Sequence, residues 1–310
     1  MRNLPPILER FLASLGVNTM RLKWKLHFWE EALKRKRKAL TARSQGRRYK
    51  SCRRCGQLAL AEDKICKCGH RLPSYAVYRI GRALAFERPE FGVVSVGFLL
   101  MIVSLFALQV GADGARALMR PSIQTLVRFG AFKGELLLAG QYWRILTMAL
   151  VHSGILHIGF NALALSQMLP RFEDEIGPWR ASILITLTQA AAALAHTAWY
   201  PPYGLTSGAS GVAFGLIGFG LARAVRSGNS LERGFFLQWF LYGVAFGVMM
   251  PGIDNAAHGG GFLAGLALGY WIAGREPRGA MKRAIQLAGG ACLILWIASV
   301  GFLLVSIVKG

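Results

Sequence analysis

The sequence predicts an all-α, polytopic membrane helix bundle carrying a small polar cytosolic domain at its N-terminus. Composition is the first reason: 54% of the 310 residues are hydrophobic, 17% are charged, and the mean hydropathy is +0.38. Soluble domains of this length rarely reach that balance. Distribution is the second. The chain is basic and polar from Met1 to about Glu90, and from Phe91 onward apolar stretches recur at lengths near the roughly 20 residues a bilayer requires.

The expected spans are 91–112, 145–168, 180–200, 208–226, 235–251, 256–274 and 284–308. Several hold Gly, Ser, His or Asn, which argues for a bundle with a functional interior and against seven simple lipid-facing anchors. Between the first two spans, Asp113 to Tyr142 forms a long loop, apolar in part around Ile123 to Phe132. Loops of that length commonly serve a function. The earliest apolar stretch, Ile7 to Val17, is broken by Glu9 and Arg10 and lacks a small-residue cleavage site. No signal peptide is expected there, so insertion falls to the internal segments.

Lys and Arg number 37 against 15 Asp and Glu, a formal net charge of +22. Such a surplus suits either nucleic acid or the cytoplasmic flank of a membrane protein. Much of it precedes the first span, as in Lys34-Arg35-Lys36-Arg37-Lys38, so the bilayer is the expected partner and nucleic acid is not. Arg171 and Arg180, then Arg223, Arg226 and Arg233, then Arg275, Arg278, Lys282 and Arg283 fall in alternate loops. Those loops share a side with the basic N-terminus, which is therefore expected in the cytoplasm of a cell with the bundle in its inner membrane. Arg116, Arg120, Arg128 and Lys133 in the first loop are a partial exception. Ser210 and His258 then lie near the extracytoplasmic ends of their helices.

The polar region divides in two. Residues 1–50 are basic, with Leu22, Leu26, Trp29 and Leu33 at helical spacing. That stripe either rests on an anionic membrane surface or packs on the protein's own cytosolic domain. Residues 51–75 hold Cys52-x-x-Cys55-Gly56 and Cys66-x-Cys68-Gly69-His70. Two knuckles supplying two thiolates each suit tetrahedral zinc, and glycine relieves the tight turn around the metal. In a reducing cytosol a metal is the better reading than disulfides. The second knuckle is one residue short, so His70 is an alternative to one thiolate. A site this small folds its domain and does no chemistry. A cytosolic partner for this zinc-ribbon-like segment is a further expectation. Cys292 stands alone in an apolar stretch.

Polar groups inside a bilayer are costly and persist mostly where they work. The fourth span opens Gly208-Ala209-Ser210-Gly211, with room for a substrate backbone beside a helix start that has uncapped N–H groups. Taken singly, those small residues read as packing devices. The sixth span opens Asn255-Ala-Ala-His258-Gly-Gly-Gly261 and continues to Gly265 and Gly269, a flat face for a second helix. If that face meets the fourth span, His258 becomes the base that Ser210 needs; otherwise it is a hydrogen-bonded structural histidine. The second span carries His152, His157 and Asn161. The last two stack on one helical face and offer donors for an oxyanion. His152, five residues earlier, is turned by roughly 140° on a continuous helix. A metal site is the rival reading, but the histidine spacing is five with no intervening Glu, unlike H-E-x-x-H.

The ordered set of Trp143-Arg144, H-x4-H-x3-N, Glu173-x3-Gly177, G-A-S-G and H-x-x-G resembles the rhomboid family of intramembrane serine proteases, over residues 91–274. The resemblance implies a rhomboid-like six-helix core at 91–274 plus one additional transmembrane helix at 284–308. It implies a Ser210–His258 dyad, with His157, Asn161 and the Ser210 backbone N–H as the oxyanion hole, and no catalytic cofactor. Phe214 matches an aromatic position against the histidine, and Gly208, Gly261 and Gly265 match close-packing glycines. Trp143 and Arg144 look like the pair that braces the first loop, and His152 is a supporting residue. Leu169-Pro170 departs from the glycine that often precedes the family's Glu. Asp254, four residues before His258, invites a triad, but a rhomboid would not use it; a loop or cap role is expected. The implied substrates are transmembrane helices cut near the extracytoplasmic side. The alternative is a rhomboid-like pseudoprotease that binds membrane clients without cutting them.

Overall fold

The structure, a computed structural model, describes residues 48–52, 57–83, 92–250, 252–272 and 277–309. The amphipathic segment expected around 20–45 and the thiol of Cys55 lie outside them. The chain divides into two units, Met1–Glu90 and Phe91–Gly310.

In the first unit, β1 (Tyr49–Ser51) and β2 (Leu58–Leu60) pair antiparallel, with Tyr49 opposite Leu60 and Ser51 opposite Leu58. Lys50 is buried, and its ammonium donates to the Pro73 carbonyl at 2.7 Å. That bond ties the hairpin to the segment leading into α1 (Tyr75–Ala83). A polar head buried this way needs a hydrogen-bond acceptor, which the carbonyl supplies.

The second unit is a bundle of seven long helices among the described residues, each on one of the expected apolar segments. α2 (Val93–Asp113) has no capping side chain of its own; the carboxylate of Glu173 accepts from the N–H groups of Val94 and Ser95, at 3.0 and 2.7 Å. An anion at a helix N-terminus satisfies orphan donors and meets the helix dipole favourably. The Glu of the Glu173-x3-Gly177 motif is thus the cap of another helix. The long first loop contains a 3-10 turn (Ala115–Leu118), α3 (Ile123–Arg128), β3 (Phe132–Lys133) and α4 (Gly134–Leu138).

The expected span 145–168 is not one helix. It consists of α5 (Arg144–Thr147), a 3-10 turn (Met148–Leu150) and α6 (Ile155–Ile176), bent by 100° across a break. Gly154 sits in the break with φ +137°, and a Cβ there would lie 2.5 Å from the Met119 carbonyl oxygen. A side chain at 154 would therefore be strained by its own backbone and blocked by the loop. α6 ends at Gly177, φ +82°, and Pro178 starts α7 (Pro178–Trp199) where a missing N–H costs nothing.

β4 (Leu205–Thr206) pairs with β3 and leads into α8 (Ser210–Arg226). α9 (Ser230–Met249) is capped by Asn229, α10 runs Asn255–Ile272 and α11 Gly279–Lys309. α8 is the centre, buried continuously from Gly211 to Gly220. α2, α7 and the last helix (Gly279–Val308) are long and apolar enough to cross a membrane, and the bent pair counts as a fourth. α11 is tied into the bundle by Trp296, whose indole N–H donates to Thr186 at 3.0 Å and whose ring meets Phe98 edge-on. The chain is a multi-pass membrane protein with an all-α bundle fold.

Candidate active site

Ser210 is the first residue of α8, half-buried, and the chain reaches it through a turn that only glycine fits. Gly208 has φ +115°, and its N–H donates to the Met148 carbonyl at 2.7 Å. A Cβ at 208 would stand 2.6 Å from both Cε1 and Nε2 of His157, and 3.7 Å from Nδ2 of Asn161. The imidazole edge and the amide thus converge on the turn two residues before the serine.

Their hydrogen bonds decide what they offer there. His157 Nδ1 accepts the Ser153 backbone N–H at 3.3 Å and lies 2.9 Å from the Ser153 hydroxyl. A backbone N–H can only donate, so the neutral ring carries its proton on Nε2, the nitrogen facing Gly208. Asn161 donates one amide hydrogen to the His157 carbonyl at 2.9 Å, which leaves the second for the site. Two donors are therefore free beside Gly208, two residues before Ser210.

His152 lies in the break before α6, not on the helix, so the expected 140° rotation about a common axis does not apply. It is fully buried, its ring 5.1 Å from that of His157. Nε2 faces the Ala209 N–H at 3.5 Å and Nδ1 faces the Leu150 carbonyl at 3.3 Å. Gln109 of α2 exchanges two bonds with the His152 backbone, at 3.2 and 3.3 Å, and so anchors the break. Arg144 is buried and donates to the carbonyls of Val127 and Ala131, at 2.7 and 2.8 Å, and to Gln141 at 2.6 Å. With Trp143 4.4 Å from its guanidinium, it staples the middle of the first loop to α5.

His258 is buried in the first turn of α10, its ring stacked on Phe214 at 4.2 Å between centroids and 15° between planes. Glycine brings that turn to the serine. A Cβ on Gly261 would fall on the Gly211 carbonyl, one on Gly265 on the Gly215 carbonyl, and one on Gly218 on the Phe262 carbonyl. α8 and α10 therefore meet backbone to backbone, and a Cβ on Gly211 would be 3.9 Å from the Ala257 carbonyl oxygen. The residues adjoining Ser210 and His258 in sequence face each other across this seam. Among the described residues no hydrogen bond joins the Ser210 hydroxyl to His258, and His258 Nδ1 has no partner. Catalytic hydrogen bonds often close only when substrate arrives.

The Asp254 carboxylate makes no hydrogen bond to the His258 ring. One carboxylate oxygen caps α10 through the Ala257 N–H at 2.9 Å, and the other meets Nδ1 of His196 at 2.7 Å. His196, buried near the end of α7, is the residue that motif reading missed; its one signal was a lone histidine inside an apolar span.

In the first unit, the sulfurs of Cys52, Cys66 and Cys68 lie within 4.8 Å of one another, and Cys52 is 3.6 Å from Cys68. That separation is far too long for a disulfide. It is close to the edge of a zinc tetrahedron, about 3.8 Å for bonds of about 2.3 Å. The short Cys66-x-Cys68 spacing nevertheless delivers both thiols to Cys52, because the Gly69 N–H folds back on the Cys66 carbonyl at 2.8 Å, with Gly69 at φ +82°.

Residues 139–275 match the family model described as the Rhomboid domain. The chain is 32% identical over 208 residues to "Rhomboid protease GluP" of Bacillus subtilis, covering 65% of this chain and 39% of the relative. It is 31% identical over 168 residues to "RHOMBOID-like protein 5" of Arabidopsis thaliana, covering 52% and 54%. It is 33% identical over 153 residues to "Rhomboid-type serine protease 2" of Emericella nidulans, covering 48% and 30%. The chain thus spans between 30% and 54% of the length of these relatives. Over residues 139–275 the chain is similar to the rhomboid family.

Proposed function

We propose that the protein is an intramembrane serine endopeptidase in which Ser210 is the nucleophile and His258 its base. The observation that carries this is the glycine seam, in which the first turn of α8 meets the second turn of α10 at backbone contact and lies beside its first turn at Ala257. Two relatives are named as proteases, which supports the same reading. His258 takes the hydroxyl proton as Ser210 attacks a substrate carbonyl, then gives it to the leaving amine. His157 Nε2–H, the spare Asn161 amide hydrogen and the Ser210 backbone N–H hold the tetrahedral oxyanion. Water then hydrolyses the acyl-enzyme. Gly208 and Phe214 position these groups, and His152 and Arg144 hold the break and the first loop around them. No cofactor enters the chemistry.

The substrates are membrane proteins whose helices enter from the bilayer and are cut near the extracytoplasmic side. The basic loops favour a cell inner membrane with the N-terminus in the cytoplasm. The cysteine set holds a structural zinc, with Cys52, Cys55, Cys66 and Cys68 as the ligands, and the folded segment is a docking unit for a cytosolic partner. The test is cleavage of a transmembrane substrate in proteoliposomes by the wild type and by Ser210→Ala. Loss of specific cuts in the variant supports the protease; intact substrate with both proteins, bound but uncut, returns the pseudoprotease.

A further inference from the structure

A buried histidine–carboxylate pair lies beside the dyad and belongs to neither of its members. His196, 3% exposed, presents its two ring nitrogens to two different segments. Nδ1 is 2.7 Å from Asp254 Oδ2, and Nε2 is 3.3 Å from the Gly204 carbonyl oxygen. Gly204 lies six residues before Ser210 and Asp254 four before His258. Asp254 in turn holds the first turn of α10 twice: Oδ1 accepts the Ala257 N–H at 2.9 Å, and its backbone carbonyl accepts the His258 N–H at 3.1 Å. The ring itself is boxed by Phe132 of β3, edge-on at 5.7 Å, and by Tyr200 at 5.1 Å.

Resting on the dyad reading above, we infer that His196 and Asp254 are positioning residues for catalysis, a link that fixes the strand leading to the nucleophile against the helix turn that carries the base. The physical case is one of entropy and register. The serine and the histidine lie on separate helices, and the glycine seam fixes how closely those helices pack but constrains sliding along the seam weakly, because a flat face has no knobs. A bond from α7 to both arriving segments at the extracytoplasmic end supplies the missing constraint. Misplacement by about 1 Å is enough to cost on the order of 100-fold in rate.

Three variants separate this role from simple helix capping. Asp254→Asn is isosteric: its oxygen still caps Ala257, its amide donates to His196 Nδ1, and the ring's proton on Nε2 still reaches Gly204. Asp254→Ser keeps a good N-cap but is too short to reach His196. His196→Leu removes the link from the other side. We expect kcat in proteoliposomes to fall at least tenfold in Asp254→Ser and His196→Leu with KM little changed. Labelling of Ser210 by a fluorophosphonate should slow in parallel, and Asp254→Asn should stay within about threefold of wild type. The double variant Asp254→Ser/His196→Leu should be no slower than the worse single one, since both break one link. Asp254→Ser matching the wild type in kcat overturns the link and leaves a cap only, with the dyad standing. A fall in KM-dependent binding or thermal midpoint alone, at unchanged kcat, overturns it in favour of a structural role. A wild type that neither cuts nor labels at Ser210 overturns the dyad and this inference together.

Discussion

The three adjoining glycines Gly259, Gly260 and Gly261 give the seam an internal control. A methyl on Gly261 would sit 2.9 Å from the Gly211 carbonyl carbon and closer still to its oxygen, with no flexible side chain to move aside. Restoring ordinary contact demands that α8 and α10 part by about 1 Å, at an overpacking cost of about 1–3 kcal/mol. The separation acts directly on the distance between Ser210 and His258. A shift of that size corresponds to a fall of about 100-fold in kcat, or about 2.7 kcal/mol in the barrier. Gly259 is exposed, and a Cβ there meets nothing within 4 Å. Gly259→Ala gains helix propensity and should be neutral or slightly stabilising. Both variants are to be reconstituted with a transmembrane substrate and followed by initial rates and thermal midpoint. Gly261→Ala within threefold of wild-type kcat, or Gly259→Ala failing equally, would refute the claim that backbone contact at the seam sets the catalytic distance.

Further outcomes follow from other contacts. His157→Ala removes one oxyanion donor, and kcat should fall by about 100- to 1000-fold while Ser210 remains present and the fold intact by circular dichroism. Arg144→Leu leaves the Val127 and Ala131 carbonyls without their charged donor; the thermal midpoint should drop, consistent with a loss of about 3 kcal/mol. Glu173→Ala uncaps α2 and should destabilise by about 1–2 kcal/mol, read as a lowered midpoint with Ser210 labelling retained below it. The purified protein should carry one zinc per chain by atomic emission, released by a thiol-modifying mercurial and absent from Cys52→Ser, whereas protease activity should survive the loss.

Local geometry was legible where it depends on short-range spacing. The positions of Ser210 and His258 at helix starts, the i, i+4 pair His157 and Asn161, and the glycine period of α10 can all be read along one helix, because side-chain direction there follows from residue spacing. The first loop was not: β3 and β4 are two residues each, too short to leave a pattern, and they pair across more than seventy positions. The break at Val151–Gly154 was hidden because its flanks are as apolar as a continuous span, and only Gly154 marks it. Asp254 illustrates the general limit. Its proximity in sequence to His258 suggested one partner, and the fold supplied another, His196, from 58 residues away. Glu173 was recognisable as part of a motif, but its duty, capping α2 from 78 and 79 residues downstream, is a property of the packed bundle.

The account stands on Ser210 as an activated nucleophile, and peptide mapping of a fluorophosphonate-treated preparation reads that directly. A single adduct on the peptide containing Ser210, abolished in Ser210→Ala and strongly slowed in His258→Ala, is the predicted result. An adduct elsewhere, or equal labelling of wild type and His258→Ala, would contradict it.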